Sequence, residues 1–176
     1  MIRQDASEPP VSLAEAQAYV RVETGEEEAV LAGLLRTASL MCEQFIGQAL
    51  VARGFEETLR ASGQWQRLGL TPVRSIGAVT LVADDGSETV LAAEEFAIDI
   101  DASGDGWVRL VRGSEGVVRV SAVAGMANNA NDVPEPLRQG IIRQTAYLFN
   151  ARDSEGGEPP AAVTALWRPY RRMRLA

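Results

Sequence analysis

Three groups of residues have types and spacings that invite chemistry. The run LWRPYRRMRL near the carboxyl terminus interleaves Leu166, Trp167, Pro169, Tyr170, Met173 and Leu175 with Arg168, Arg171, Arg172 and Arg174. Tryptophan, tyrosine and arginine are the types most enriched where one protein grips another. Residues 167–175 are therefore expected to dock on another subunit or partner, ordering as they bind. Two alternatives stay open: the run folds back onto its own domain, or it binds single-stranded nucleic acid through stacking and charge. A second group, Asp99-Ile100-Asp101-Ala102-Ser103-Gly104-Asp105, spaces oxygen ligands and a glycine like the opening of a calcium loop. Leu110 stands where such a loop needs a bidentate glutamate, and the turn-forming residues fit a hairpin better. Gly104-Asp105-Gly106 is only a fragment of a dinucleotide fingerprint, with no helix after it. The third group is the acid pairs Glu56-Glu57 and Glu94-Glu95. Adjacent strand residues point to opposite faces, so neither pair converges on a substrate, and solvated surface is the expectation. No metal and no cofactor is expected.

Two absences narrow the chemistry further. The chain has no histidine, which removes the usual general base and the commonest metal ligand. All seventeen basic residues are arginine, so Schiff-base chemistry and a phosphate-loop lysine are also excluded. Arginine-only usage is read first as the mark of a GC-rich genome. The one cysteine, Cys42, falls on an apolar helical stripe and reads as a small core residue. No enzymatic activity is expected.

The elements that must position these residues follow from periodicity. In the stretch 24–47, Leu31, Leu35, Ala38, Cys42 and Phe45 recur at helical steps, widened by Leu34 and Met41. Thr24 with Glu27 reads as a capping box, and Gly47 as the left-handed residue that closes the helix. A second box, Ser12 with Glu15, opens a short helix to about Val22, and the two helices form a hairpin. Residues 1–10 read as a loose arm. From Leu50 the period changes to 2. Strands are expected at 51–60, 64–70, 75–83, 87–91, 96–100, 107–111 and 116–124, with turns at Asp84-Asp85-Gly86 and Ser103–Gly106. Pro134 and Pro136 then start a third helix lined by Leu137, Ile141, Thr145 and Leu148, in which Gly140 would let another backbone come close. A short helical piece follows at 161–167.

The class is therefore α+β: a helical hairpin plus a C-terminal helix, with an inserted antiparallel β-sheet or small barrel. The expected divisions are 1–49 as the N-terminal helical part and 50–125 as the inserted β subdomain. Residues 133–152 complete the helical part, and 161–176 form the docking segment. A chain of 176 residues, 46% hydrophobic, suffices for one domain with such an insertion. No apolar run approaches membrane-spanning length, and MIRQDASEPP lacks a signal-peptide core, so neither membrane nor export is expected. The net charge is −7, yet residues 161–176 hold four arginines and no acid. An acidic body with a basic tail is not the footprint of a protein that grips nucleic acid along its surface.

The segments VSLAEAQAYVRV, CEQFIGQALV, VPEPLRQGIIRQTAYLFNAR and LWRPYRRMRL, in this order, resemble the head–tail connector (adaptor) proteins of long-tailed phages and phage-derived gene transfer agents. The resemblance spans nearly the whole chain. It departs at Phe149-Asn150-Ala151-Arg152, where the family tends towards an aromatic-Glu-Asn-Arg run, so no residue role is carried over there. The resemblance implies a homo-oligomeric ring, typically a dodecamer, at the head–tail junction of a virion or phage-like particle made in a host cytoplasm. The ring would sit beneath the portal protein, extend the DNA channel and offer a platform to a stopper or tail protein, without catalysis. It implies portal docking by Trp167, Arg168, Pro169, Tyr170, Arg171, Arg172, Met173, Arg174 and Leu175. An acidic lumen would let DNA pass without specific binding, and Glu26, Glu27, Glu28, Glu56 and Glu57 are its candidate acids. The competing readings are a head-completion stopper or tail terminator, a small carboxylate-dependent hydrolase, and a DNA-binding packaging factor, which the acidic body disfavours.

Overall fold

The computed structural model describes residues 2–4, 8–22, 25, 27–112, 116–151 and 158–172. The fold is α+β, and the chain forms two compact units. One comprises Met1–Ser7 and Ala52–Met126, the other Glu8–Val51 and Ala127–Ala176.

The second unit is helical. Helix α1 (Leu13–Val20) opens on the expected capping box. The Ser12 hydroxyl accepts from the Glu15 N–H at 3.2 Å, and the Glu15 carboxylate accepts from the Ser12 N–H at 2.8 Å. The bonds from the Ser12 backbone and hydroxyl, with the Arg138 guanidinium beside them, hold the Glu15 carboxyl below the usual carboxylate range. A group with a lowered folded pKa contributes stability above its unfolded value, about 4.3 for glutamate, and loses it as pH falls through the folded value. Ser12→Ala should therefore cost about 1 kcal/mol near neutral pH. That cost should shrink on acidification below the ordinary glutamate pKa, as read from denaturant midpoints across pH.

Helix α2 (Glu28–Ile46) buries Leu31, Leu35, Ala38 and Cys42 along one face. Ile46 rather than Phe45 completes the stripe, with Phe45 half-buried. The Ser39 hydroxyl, also buried, is satisfied by the Leu35 carbonyl at 2.8 Å. Gly47 closes the helix at φ 69°, giving its N–H to the Glu43 carbonyl. Thr24 of the second expected box lies outside the described residues, and α2 starts after Glu27 with no side-chain cap bond. Contrary to expectation, α2 is long and apolar enough to cross a membrane by length and composition. Its stripe packs against α1 and α3, as a core helix does.

Helix α3 (Glu135–Asn150) has Pro136 in its first turn and buries Leu137, Ile141, Ile142 and Thr145. Helix α4 (Ala161–Trp167) packs on α3 and runs into a 3-10 turn, Arg168–Tyr170.

The first unit is antiparallel β. Strands β1 (Ile2–Gln4), β2 (Arg53–Arg60), β4 (Val73–Val82), β5 (Glu88–Val90) and β8 (Val117–Ala124) form a five-stranded sheet in the order β1-β2-β8-β4-β5. Strands β3 (Gln66–Arg67), β6 (Phe96–Ile100) and β7 (Gly106–Leu110) form a three-stranded sheet ordered β3-β7-β6. Period-2 patterning builds their shared core: Val118, Val120, Ala122 and Ala124 of β8 lie on one face, with Phe55, Val79, Val108 and Leu110 in the same cluster. In β4 the alternation slips between Ile76 and Val79, where the ladder with β8 carries a register shift. An extra residue in one strand moves the following side chains to the other face, which is why Ile76 and Val79 are three apart.

Two expectations are corrected here. Residues 2–4 are no loose arm: Ile2, Arg3 and Gln4 pair with Glu57, Glu56 and Phe55. The segment 64–70 is strand only at Gln66–Arg67, because the Gly69 N–H turns away to the Glu57 carboxylate at 2.7 Å.

Candidate docking surfaces

Helix α4 carries Trp167 into the helical unit, where its side chain is 0% exposed. The indole lies against Gly140 of α3 so closely that a β-carbon there would stand 2.1 Å from Nε1 and 2.7 Å from Cδ1. The glycine thus admits an indole rather than a second backbone. The indole N–H points at the Leu137 carbonyl at 3.4 Å, and the Phe45 ring meets the indole with centroids 5.8 Å apart at 54°. That tilt is a favourable aromatic arrangement.

Beyond Trp167 the chain lies along the end of α2. The Tyr170 carbonyl accepts from Gln48 Nε2 at 2.7 Å, and the Arg172 N–H donates to the Ile46 carbonyl at 2.9 Å. The second bond satisfies one of the carbonyls left open at a helix C-terminus, where positive charge is also favoured. The Arg171 guanidinium sits 5.7 Å over the Phe45 ring. The described part of the expected docking segment is therefore folded onto its own unit, anchored by Trp167. As a fully buried side chain Trp167 offers nothing to a partner. Arg168, Pro169 and Arg171 are exposed, Tyr170 and Arg172 half-exposed, and Met173, Arg174 and Leu175 lie outside the described residues. What remains accessible is a basic strip with a tyrosine, fixed in place by the tryptophan.

The expected lumen acids are scattered. Glu27 and Glu28 are exposed at the start of α2, and Glu26 lies outside the described residues. Glu56 is half-buried on β2 and contacts the Ser121 hydroxyl at 3.5 Å. Glu57 alternates to the opposite face and is only 8% exposed, held by the Gly69 N–H, so it faces neither solvent nor a lumen.

The calcium-like run is a hairpin turn between β6 and β7, and Gly104 adopts φ 78° there. The Asp101 carboxylate is occupied: it accepts from the Ser103 and Asp105 N–H groups at 2.8 and 3.0 Å and from the Trp107 indole at 3.1 Å. Among the described residues no group of three or more His, Cys, Asp or Glu side chains is placed to hold a metal ion. Cys42 is buried, and burial pushes its thiol well above the ordinary range, so it is no nucleophile.

A surface that single-residue reasoning passed over lies on the three-stranded sheet. The sequence contains Trp-x-Arg twice, at Trp65-Gln66-Arg67 and Trp107-Val108-Arg109. The ladder pairs Gln66 with Val108 and Arg67 with Trp107, which brings Trp65 beside Arg109. The Arg109 guanidinium stacks over the Trp65 ring at 5.0 Å, while Arg67 reaches Asp105 at 3.5 Å. Each tryptophan thus faces the other strand's arginine, and the outermost, Trp65, is 45% exposed. The doubled motif was visible in the sequence; the antiparallel register that turns it into one face was not.

No family model and no curated protein matches the chain. Solved structures do. The neck of an empty gene transfer agent particle, computed with C6 symmetry, contains a chain with 26% identity and a TM-score of 0.78. The virion of a native gene transfer agent particle gives 26% and 0.78, and the neck of the native particle with C12 symmetry gives 25% and 0.77. Each match covers 100% of this chain and 97% of the other. The chain is thus similar, from end to end and through both of its units, to a protein of the neck of gene transfer agent particles.

Proposed function

We propose that this chain is a structural subunit of the neck of a phage-like particle, and within the neck the adaptor: a ring that docks on the portal and carries the DNA channel on towards the tail. The observation that carries the reading is the end-to-end likeness to neck chains, with nothing left over on this chain and almost nothing on theirs. The symmetric form of those necks supports a closed ring of identical copies here. The exposed arginines of the carboxyl-terminal segment, held in place by a buried tryptophan, support that segment as the portal-facing contact. Exposed Glu27 and Glu28 are candidates for a repulsive channel wall; buried Glu57 is not.

The test is to mix the protein with a portal ring and image the complex. A co-axial ring beneath the portal is expected. It should disappear when the chain is cut before Arg171, a truncation that spares the Trp167 anchor and leaves the helical content unchanged. A cut before Trp167 would report unfolding instead. A ring found only on the far side of an adaptor already in place would make the protein a stopper or tail terminator, and the portal contact would be wrong.

A further inference from the structure

We infer that neighbouring copies in the ring join through two unlike edges of the β unit: the tryptophan–arginine face on the β3 side of one copy meets the acidic, apolar β5–β6 edge of the next. The inference rests on the ring reading above and deepens it by naming the contact.

The topology places these surfaces on opposite sides of one unit. In the five-stranded sheet β1 and β5 are the two edges, and in the three-stranded sheet β3 and β6 are. Strand β3 lies on the β2 side, where Gln66 Nε2 bonds the Arg60 carbonyl at 2.8 Å and the Gly69 N–H bonds Glu57. Strand β6 lies on the β4 side, against which it packs. Edges β1 and β3 therefore flank one side of the unit, and β5 and β6 the other.

The two sides differ in chemistry as complementary surfaces should. From Asp84 to Glu95 the chain has five acids and no arginine. Arg119 of β8 holds Glu88 in a bidentate pair at 2.8 and 2.9 Å, and Arg112 lines the same hollow as Glu94 and Glu95, so the edge is net acidic but not free of arginine. Alongside those acids stand exposed apolar residues: Val90, at 68%, on β5, with Ile98 and Ile100 on β6. The opposite side presents Arg67, Arg109 and the exposed Trp65. An exposed strand edge bearing valine and isoleucine invites association unless something covers it. Aromatic and arginine side chains are the usual cover at such contacts. Opposite charge across the junction fixes which edge meets which and rejects like against like. A closed ring needs two different, mutually complementary faces on every copy, and this unit carries both. That is why the occupant is a second copy of this chain rather than a foreign acidic protein.

The experiment uses the full chain assembled on a portal ring. A variant carrying both Gln64→Cys and Thr89→Cys, one on each edge, is oxidised in the complex and run without reductant. A ladder of covalent multimers is expected, absent from either single variant. Separately, Arg67→Glu with Arg109→Glu should lower ring assembly by about tenfold or more, through like-charge contact. Asp84→Arg with Glu94→Arg should do the same, and the four changes together should restore assembly. Intact circular dichroism in each variant shows that folding is not the cause. A normal co-axial ring with no ladder and no charge effect would overturn the edge contact while leaving the neck assignment standing. Absence of any ring from the unaltered protein would overturn both.

Discussion

Trp167→Ala should lower the stability of the helical unit by about 3–5 kcal/mol, the range for removing a large buried aromatic side chain. Trp167 is fully buried and touches two other helices: α3 through Gly140 and Leu137, and α2 through Phe45. Alanine removes the indole, leaves a cavity against a glycine that cannot fill it, and strips Phe45 of its aromatic neighbour. If the carboxyl-terminal strip is the portal contact proposed above, that contact should weaken too, because Arg168 to Arg172 are positioned by the helix that the indole anchors. Denaturant unfolding followed by the helical signal measures the first effect, and portal binding measures the second. A stability loss under about 1 kcal/mol would mean the indole is ornament rather than anchor.

Gly140→Ala should be the next most damaging substitution, and its sign runs against helix propensity. On an exposed helix, alanine in place of glycine gains about 1 kcal/mol. Here the new methyl would meet Nε1 at 2.1 Å and Cδ1 at 2.7 Å, both on a rigid ring with no room to retreat. Overpacking costs about 1–3 kcal/mol, and contacts this far inside van der Waals distance belong at the upper end, so the net change is a loss of about 1–2 kcal/mol. Combining Gly140→Ala with Trp167→Leu should cost less than the two single changes added, because the smaller side chain vacates the space the methyl needs. Additive losses in that double-mutant cycle would show that the clash does not exist.

The sequence made the helices readable because their burial is local and periodic. The stripe of Leu31, Leu35, Ala38 and Cys42, the Ser12–Glu15 box and the Gly47 stop each require only a few neighbouring residues. The strands of the β unit were readable where alternation is long, as from Val118 to Ala124, and failed where pairing comes from afar. Ile2–Gln4 is too short to show a period and is a strand only because β2 leaves an edge for it. At 64–70 apolar spacing suggested a full strand, but a buried glutamate twelve residues back claims the Gly69 N–H. The docking segment was half legible. Its composition marked it for contact, yet composition cannot tell an anchor from a hook, and it took the space above Gly140 to show that Trp167 is the anchor. The tryptophan–arginine face was missed for a related reason: two tripeptides forty-two residues apart become one surface only through the β3–β7 register.

Cys42, sealed in the helical unit and kept protonated, has a practical consequence. The native protein should take up no maleimide, so a single engineered surface thiol would give one fluorophore per polypeptide. Counting photobleaching steps on individual assembled particles would then yield the stoichiometry directly, without averaging and without imposing a symmetry.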